Sequence, residues 1–368
     1  MKKFSYLLVI TILIASCTSK PHYVIKGKIE GSDKIAFLLQ KKDAGKYITI
    51  DSAVSRKGSF TIKGGEVAYP QMVQLMAGTS GKGLSFYLEN SEITITGSLD
   101  SISGAKIAGS KTQDEYMSFV DSNKPLSEEY SRIYLEYQSA SKAGDVPKVA
   151  VLQKQADSIQ NELTNLQKNF VKNNPASFVS PSILASLSYE MDATEVESAL
   201  NSMDPKVAAI PQMILLKERV AIMKKVDIGQ KAPDFTLNDV NGNPVTLSSK
   251  FGPKLLLIDF WAGWCGPCRR ENPNVVKVYN EFHKKGFDVF GVSLDKTKEE
   301  WVKAIADDKL AWTHVSDLQY WNNAAAKIYA VNSIPANFLL DETGTIIGKN
   351  LRGEDLYNKV KEVLETKK

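Results

Sequence analysis

The stretch Asp259-Phe-Trp-Ala-Gly-Trp-Cys-Gly-Pro-Cys-Arg-Arg-Glu-Asn-Pro273 decides the fold of the C-terminal part of this chain. Residues 254–261 show no alternation of apolar and polar positions, which is typical of a strand buried in a parallel sheet. A helical pattern follows, so the Cys-x-x-Cys pair lies at a strand-to-helix turn, where both sulfurs come within bonding distance. At the helix N-terminus, free backbone N–H groups stabilise a thiolate on Cys265, and Cys268 lies one turn later. The pattern predicts cysteines that exchange a disulfide with other thiols.

Residues 264–268 read Trp-Cys-Gly-Pro-Cys, which is the motif of the thioredoxin family. The wider resemblance is to its membrane-anchored TlpA/ResA-like branch, and it covers about 228–368. Its further signs are Ala-Pro-Asp-Phe at 232–235 and the turn Asp-Glu-Thr-Gly at 341–344. The resemblance implies an α/β thioredoxin-like fold and a thiol-disulfide oxidoreductase. In that chemistry Cys265 attacks the substrate disulfide and Cys268 resolves the mixed disulfide.

The resemblance also implies roles for residues outside the cysteine pair. Thioredoxins carry a buried acid at the position of Asp259, where a raised pKa lets a carboxyl exchange the proton of the second thiol, Cys268. They carry a cis proline at the position of Pro335, and the backbone of Ile334 would pair with an extended substrate. The expected substrate-docking residues are Trp264, Gly266, Pro267, Ile334 and Pro335.

The same residues also have interpretations without a catalytic role. A zinc site would need further ligands, but there is no second cysteine pair and the three histidines are scattered, so we expect no metal. A purely structural disulfide would close a loop too short to constrain the unfolded chain much. Asp259 could be only a satisfied buried carboxylate, and Arg269 and Arg270 are expected to form a solvated helix face. We expect no cofactor besides the redox-active disulfide of Cys265 and Cys268.

Bulk properties exclude several classes of protein. The 368 residues suggest two or three domains, and 43% hydrophobic with 24% charged residues is ordinary for a globular protein. The formal net charge is +4, with no basic block interleaved with aromatic residues, so we expect no nucleic-acid partner.

The first residues are typical of a targeting segment. Lys2-Lys3 precede an apolar run at 6–14, which is short for a membrane span, and Ile-Ala-Ser-Cys follows at 14–17. This resembles the lipobox of bacterial lipoproteins, which implies a signal peptide over 1–16 and lipid on Cys17. The alternative is an ordinary signal peptide with an incidental cysteine. We expect a lipid-anchored protein of the cell envelope that faces the periplasm.

Three regions follow the signal peptide. Residues 22–110 show short β-rich runs every 10–12 residues, typical of an all-β sandwich or barrel-like domain, and resemble the DUF4369-like domain that precedes thioredoxin-like domains. Residues 111–226 are predicted to be helical, and the thioredoxin-like domain is predicted over 227–368. One long amphipathic helix is indicated by apolar residues at three- and four-residue steps: Leu152, Ala156, Ile159, Leu163, Leu166 and Phe170.

The functional expectation is a reductant of disulfides in periplasmic proteins, with cytochrome c maturation as one setting. The resemblance implies disulfide-containing envelope proteins as substrates and a membrane thiol carrier as electron donor. Alternatives are a disulfide oxidase or isomerase, a thiol peroxidase, and a ligand-binding lipoprotein with an accessory redox domain. Gly266-Pro267 resembles the reducing members of the family. Peroxidases carry Thr or Ser three residues before the attacking cysteine, where this chain has Ala262.

Overall fold

The computed structural model describes residues 22–43 and 45–366. Cys17 and the expected signal peptide lie outside the described residues. The chain divides into two compact units: one runs up to Leu163 and includes Ser177–Val179, and the other comprises Thr164–Ala176 and everything from Ser180 onward. Among the described residues, no helix combines the length and apolar character that a membrane crossing requires.

The N-terminal region is all β, as predicted. Its strands are β1 (Tyr23–Glu30), β2 (Ala36–Asp43), β3 (Lys46–Val54), β4 (Ser59–Gly64), β5 (Gln71–Ala77), β6 (Gly83–Leu88), β7 (Glu92–Ser98) and β8 (Lys106–Ala108). They form two four-stranded sheets, β4-β1-β7-β8 and β3-β2-β5-β6, and only β1 and β7 run parallel among these pairs. Alternating apolar residues of both sheets share one core, in which Phe37 stacks on Phe60 at 4.2 Å between ring centroids.

A long helical hairpin follows, formed by α1 (Lys111–Ala143) and α2 (Val146–Asn173). Ser110 caps α1 by accepting the N–H of Gln113, and the Gln113 side chain accepts the N–H of Tyr87 at 2.9 Å. Gly144 turns the chain with φ +71°, a left-handed conformation that favours glycine. The hairpin has a thin core of its own: Ile133, Ala140, Leu152 and Ile159. The helix predicted from periodicity is α2.

Short helices lead on to the C-terminal domain: α3 (Ser180–Leu187), α4 (Ala193–Ser202), α5 (Pro205–Ala208) and α6 (Pro211–Lys225). A capping box starts α4, because the Asp192 carboxylate accepts the N–H of Glu195 and the Glu195 carboxylate accepts the N–H of Asp192. The helical middle of the chain is therefore as predicted in type. The domain boundaries proposed from the sequence remain predictions.

The C-terminal domain is an α/β fold of the thioredoxin type. Its elements are β9 (Thr236–Asp239), β10 (Pro244–Thr246), β11 (Leu255–Trp261), α7 (Gly266–Phe282), β12 (Phe287–Ser293), α8 (Lys298–Asp307), β13 (Thr313–Ser316), α9 (Ala324–Ile328), β14 (Ala336–Asp341), β15 (Ile346–Lys349) and α10 (Gly353–Thr366). The sheet order is β10-β9-β13-β12-β11-β14-β15. Strands β11, β12 and β13 are parallel, and the other pairs are antiparallel.

Strand β11 positions the redox stretch. All seven of its residues are buried, as the missing alternation predicts. It lies between β12 and β14, and its carboxyl end leads through Ala262–Trp264 into α7. The carboxyl ends of the parallel strands therefore carry the cysteine pair, which is the usual place for a site in such sheets.

Candidate active site

Cys265 and Cys268 are joined by a disulfide at the first turn of α7, with their Cα atoms 5.2 Å apart. Cys265 is the N-cap residue, and its Sγ accepts the N–H of Cys268 at 3.2 Å. Pro267 lies in the first turn, where a missing N–H costs no helical hydrogen bond. A thiolate formed on Cys265 by reduction would be stabilised by the same N–H group and by the positive end of the helix dipole.

The two cysteines differ little in exposure, since Cys265 is 4% exposed and Cys268 is 1% exposed. The residues around them are much more open. Trp264 is 42% exposed, and Gly266 and Pro267 are exposed as well. The surface offered to a partner is therefore made by the neighbours of the pair, which were the expected docking residues.

Asp259 lies on β11, six residues before Cys265, and is buried among apolar residues. In the sheet it is in register with Asn337 on β14 and Gly291 on β12. Burial raises the pKa of Asp259 to about 7, the positive charge of Arg352 opposes this rise, and the negative charge of Glu271 adds to it. A carboxyl in this state can both take and give a proton near neutral pH.

The loop before β14 closes the site from the other side. The Ile334–Pro335 peptide bond is cis, and the Ile334 carbonyl oxygen lies 3.6 Å from Cys265 Sγ. Arg352 Nη2 donates a hydrogen bond to the Pro335 carbonyl oxygen. Arg352 therefore contacts the proline loop and also acts electrostatically on Asp259, a link that the sequence did not indicate.

Arg269 does not form a solvated helix face, contrary to our expectation. Its Nη2 donates to Asp308 Oδ1 at 2.8 Å, its Nε donates to Asp308 Oδ2, and its Nη1 donates to the Gly263 carbonyl at 3.2 Å. Asn272 Nδ2 donates to the same carboxylate at 2.6 Å. The residue after the redox pair thus ties α7 to the end of α8 and to the loop before Cys265. Arg270 is exposed, as expected.

Asp295 is a second buried carboxylate that the sequence analysis missed. It is fully buried, and its oxygens accept the Gly263 N–H at 3.1 and 3.0 Å and the Ser293 hydroxyl at 2.7 Å. Burial raises the pKa of Asp295, and these hydrogen bonds oppose the rise. Its position just past β12, at the same sheet edge as the cysteines, was a signal that could have found it.

Glu271 is a further charged residue that acts electrostatically on both Asp259 and Arg352. Its Oε1 accepts the N–H of Gly353 at 2.7 Å, and its Oε2 accepts the side chain of Asn274 at 2.9 Å. Over residues 22–43 and 45–366, no group of three or more His, Cys, Asp and Glu side chains is arranged to hold a metal ion.

Comparisons with known proteins give two family matches. Residues 228–349 match the AhpC/TSA family, and residues 23–116 match DUF4369, a domain of unknown function. The second match accords with the resemblance noted for the β-rich region.

Curated relatives match part of the chain. The thiol-disulfide oxidoreductase ResA of Bacillus thuringiensis subsp. konkukian is 28% identical over 142 residues, which are 39% of this chain and 79% of that protein. ResA of Geobacillus thermodenitrificans is 31% identical over 141 residues, 38% of this chain and 78% of that protein. The thioredoxin-like protein YneN of Bacillus subtilis is 37% identical over 121 residues, 32% of this chain and 68% of that protein.

A solved structure is similar to part of the chain as well. The crystal structure of the thioredoxin domain of a thiol-disulfide oxidoreductase from Bacteroides vulgatus is 40% identical, and it covers 38% of this chain and 98% of that one with a TM-score of 0.35. Each of these curated relatives matches less than two fifths of the chain.

Proposed function

We propose that this chain, which belongs to the ResA-like family of thiol-disulfide oxidoreductases, works as a reductant of disulfides in other proteins through Cys265 and Cys268. The observation that carries the proposal is the disulfide at the N-terminus of α7, with the Ile334 carbonyl 3.6 Å from Cys265 Sγ. In this proposal the cysteine pair is itself the redox group, and no separate cofactor takes part.

The first step uses the reduced pair. The Cys265 thiolate attacks one sulfur of the substrate disulfide, so that a Cys265–substrate S–S bond forms and the substrate S–S bond breaks. The displaced substrate sulfur leaves as a thiolate and takes a proton from solvent. The backbone edge at Ile334 pairs with the extended substrate chain, and Trp264, Gly266 and Pro267 line the approach.

The second step needs a thiolate on Cys268. Asp259 takes the Cys268 proton, which its pKa of about 7 permits near neutral pH. The thiolate then attacks Cys265 Sγ and displaces the second substrate sulfur. The substrate has gained two electrons, and the enzyme is left with the Cys265–Cys268 disulfide. A membrane thiol carrier would return the pair to the dithiol form.

The direction of electron flow is part of the proposal. Gly266-Pro267 between the cysteines supports a reducing role, and an oxidase or isomerase would share the same scaffold. The reduction potential of the pair separates the two roles. We expect a potential below about −200 mV, near those of reducing thioredoxin-fold proteins. A potential well above that value would favour the oxidase.

The setting we propose is the cell envelope. Residues 1–16 would be removed as a signal peptide, and Cys17 would carry lipid, so that the mature protein is anchored and faces the periplasm. Substrates there would be oxidised envelope proteins, including apocytochromes c during their maturation. Metabolic labelling with a fatty acid tests the anchor: the label should enter the wild type and be absent from a Cys17→Ser variant.

A peroxidase is a second candidate, because residues 228–349 match the AhpC/TSA family. Ala262 argues against a peroxidase, because this alanine occupies the position at which peroxidases carry the hydroxyl side chain that assists the attacking cysteine. We expect the reduced protein to react slowly with hydrogen peroxide. A fast single-turnover burst in a Cys268→Ala variant would favour the peroxidase instead.

Trapping tests the principal proposal. In Cys268→Ala the mixed disulfide cannot be resolved, so envelope proteins should remain bound to Cys265 and be identifiable by mass. Cys265→Ala is the matched control, with the same change three residues earlier. If the control traps partners equally well, the assignment of nucleophile and resolving cysteine is wrong.

A further inference from the structure

We propose that Trp264, Tyr320 and Trp321 form an aromatic platform that binds an aromatic or large aliphatic side chain beside the reactive cysteine of a substrate polypeptide. The proposal rests on the function proposed above, because it concerns the substrates of the same site. It adds two residues, Tyr320 and Trp321, which lie far from the cysteines in sequence, and it names a class of substrate.

The three rings contact one another. Ring centroids are 5.0 Å apart for Trp264 and Tyr320, 6.0 Å for Trp264 and Trp321, and 5.8 Å for Tyr320 and Trp321. Trp264 is 42% exposed and Trp321 is 37% exposed. Large aromatic side chains are usually buried, so two neighbouring exposed indoles indicate a surface that another molecule covers.

The loop that carries Tyr320 and Trp321 is held in an unfavourable conformation. Leu318 has φ +57° and Tyr320 has φ +55°, and bulky side chains rarely adopt this left-handed region. Such strain persists where the surroundings enforce it, and it is concentrated at binding sites. Here Asp317 enforces it, because its carboxylate accepts hydrogen bonds from Gln319 N–H at 3.1 Å and Ala324 N–H at 2.8 Å.

The other side of the platform is fixed as well. Trp264 Nε1 donates to the Leu294 carbonyl at 3.3 Å, which holds the indole against the end of β12. Lys296 Nζ lies 4.2 Å from the centroid of the Tyr320 ring, so a cation covers one face of that ring. The two exposed indoles therefore offer a rigid apolar surface, which loses little conformational entropy when a side chain binds.

The substrate must come close to this surface during the reaction. Trp264 is bonded to Cys265, and a mixed disulfide joins the substrate cysteine directly to Cys265 Sγ. Residues next to that cysteine are one Cα–Cα step of 3.8 Å away along the substrate chain. An aromatic or large aliphatic side chain at such a position can stack on the platform, because aromatic rings prefer offset or edge contacts at centroid distances like those within the cluster.

Two disulfide peptides test the inference. They share one sequence with an internal disulfide and differ only by Phe or Ser next to the first cysteine. We expect the wild-type protein to reduce the Phe peptide with a kcat/KM about three- to tenfold higher, mainly through KM, as expected for one aromatic contact. In Trp321→Ala the ratio of the two kcat/KM values should fall to about one, and Trp321→Phe should keep most of it.

The ratio within each variant cancels any general loss of activity. Tyr134→Ala is the control, because Tyr134 is also an exposed aromatic residue and lies on α1, outside the C-terminal domain. Its ratio should equal that of the wild type. The inference is wrong if the wild type shows no preference, or if Trp321→Ala retains it. Failure of the wild type to reduce even the Ser peptide would instead contradict the proposed function.

Discussion

Burial of Asp259 lowers the stability of the folded protein near neutral pH, whereas its proposed role in catalysis depends on that burial. Its pKa in the folded state is about 7, against about 3.9 in an unfolded chain. Between these values the unfolded state loses its proton first, so stability falls as the pH rises and the full cost, roughly 4 kcal/mol, is present above pH 7. We expect Asp259→Asn to stabilise the oxidised protein by up to that amount at pH 8 and hardly at all at pH 4, as measured by urea unfolding.

The same substitution should slow catalysis. Asparagine cannot accept the Cys268 proton, so resolution of the mixed disulfide should be about 100-fold slower, and the rise in rate near pH 7 should disappear. Stopped-flow release of a reduced peptide measures this step. Asp355→Asn removes an exposed carboxylate from the same domain and should leave both properties unchanged. A wild-type rate in Asp259→Asn from pH 5 to 9 would remove Asp259 from the mechanism.

His314 makes the opposite contribution to pH dependence. It is buried against Trp261 and Trp312, and burial lowers its pKa to about 3. The unfolded state, with a pKa near 6.5, takes up the proton first as the pH falls. Stability from His314 is therefore present above pH 6.5 and is lost progressively down to about pH 3.

His314→Phe isolates the contribution of His314 to the pH dependence of stability, because phenylalanine keeps an aromatic ring but cannot bind a proton. The stability difference between wild type and variant should shift by about 2–3 kcal/mol in favour of the variant between pH 7 and pH 4.5. Urea unfolding at the two pH values measures it, and the contributions of Asp259 and other carboxyls cancel in the difference. A constant difference would mean that His314 is not buried in its neutral form.

Between elements, the contact of Arg269 with Asp308 joins the start of α7 to the end of α8. Both side chains are partly buried, at 30% and 15% exposure, and the pairing is bidentate. Arg269→Lys keeps the charge but cannot make two parallel hydrogen bonds, so we expect a loss of about 1–2 kcal/mol in unfolding free energy. A double-mutant cycle with Asp308→Asn should show coupling, whereas Arg270→Lys, on an exposed position, should cost almost nothing.

Periodic and local signals predicted most elements, and long-range partners remained hidden. Helix α2 followed from its apolar stripe, and β11 followed from its missing alternation. Strands β9, β10 and β13 were missed because each has only three or four residues, too few to show a period. Pro125 inside α1 argues locally against a continuous helix that packing nevertheless maintains.

At the site too, local signals in the sequence predicted some residues, whereas contacts between distant residues could not be predicted. The Cys-x-x-Cys motif placed the cysteines at the strand-to-helix turn, and the resemblance to thioredoxins pointed to the buried Asp259 and to the cis bond before Pro335. Arg269 was misjudged because its partner, Asp308, is 39 residues away. Arg352 and Pro335 are 17 residues apart in sequence, and no local pattern in the sequence indicates their contact. The platform residues Tyr320 and Trp321 come next to Trp264 only through the packing of a strained loop.

For the molecule as a whole, tryptophan fluorescence can report on one unit alone. All five tryptophans lie in the second unit: Trp261, Trp264, Trp301, Trp312 and Trp321. Far-UV circular dichroism reports on both units. Because each unit has its own core, we expect the two probes to give transitions that do not coincide in urea.

Core variants assign the two transitions. Phe37→Ala in the β sandwich should cost about 3–5 kcal/mol and move only the transition that circular dichroism detects and fluorescence does not. Phe290→Ala in the thioredoxin-like core should cost a similar amount and move the fluorescence transition. If either variant moves both transitions equally, the chain unfolds as one cooperative body.

The hairpin of α1 and α2 has a consequence for how this family of chains can change over time. Its core is a thin cluster formed by Ile133 and Ala140 on one helix and Leu152 and Ile159 on the other. One helical turn could be added to, or removed from, both helices beside Gly144 without disturbing the packing of the remaining residues. Length at this tip is therefore nearly neutral for folding, and we expect insertions and deletions among homologues to accumulate there in steps of whole helical turns.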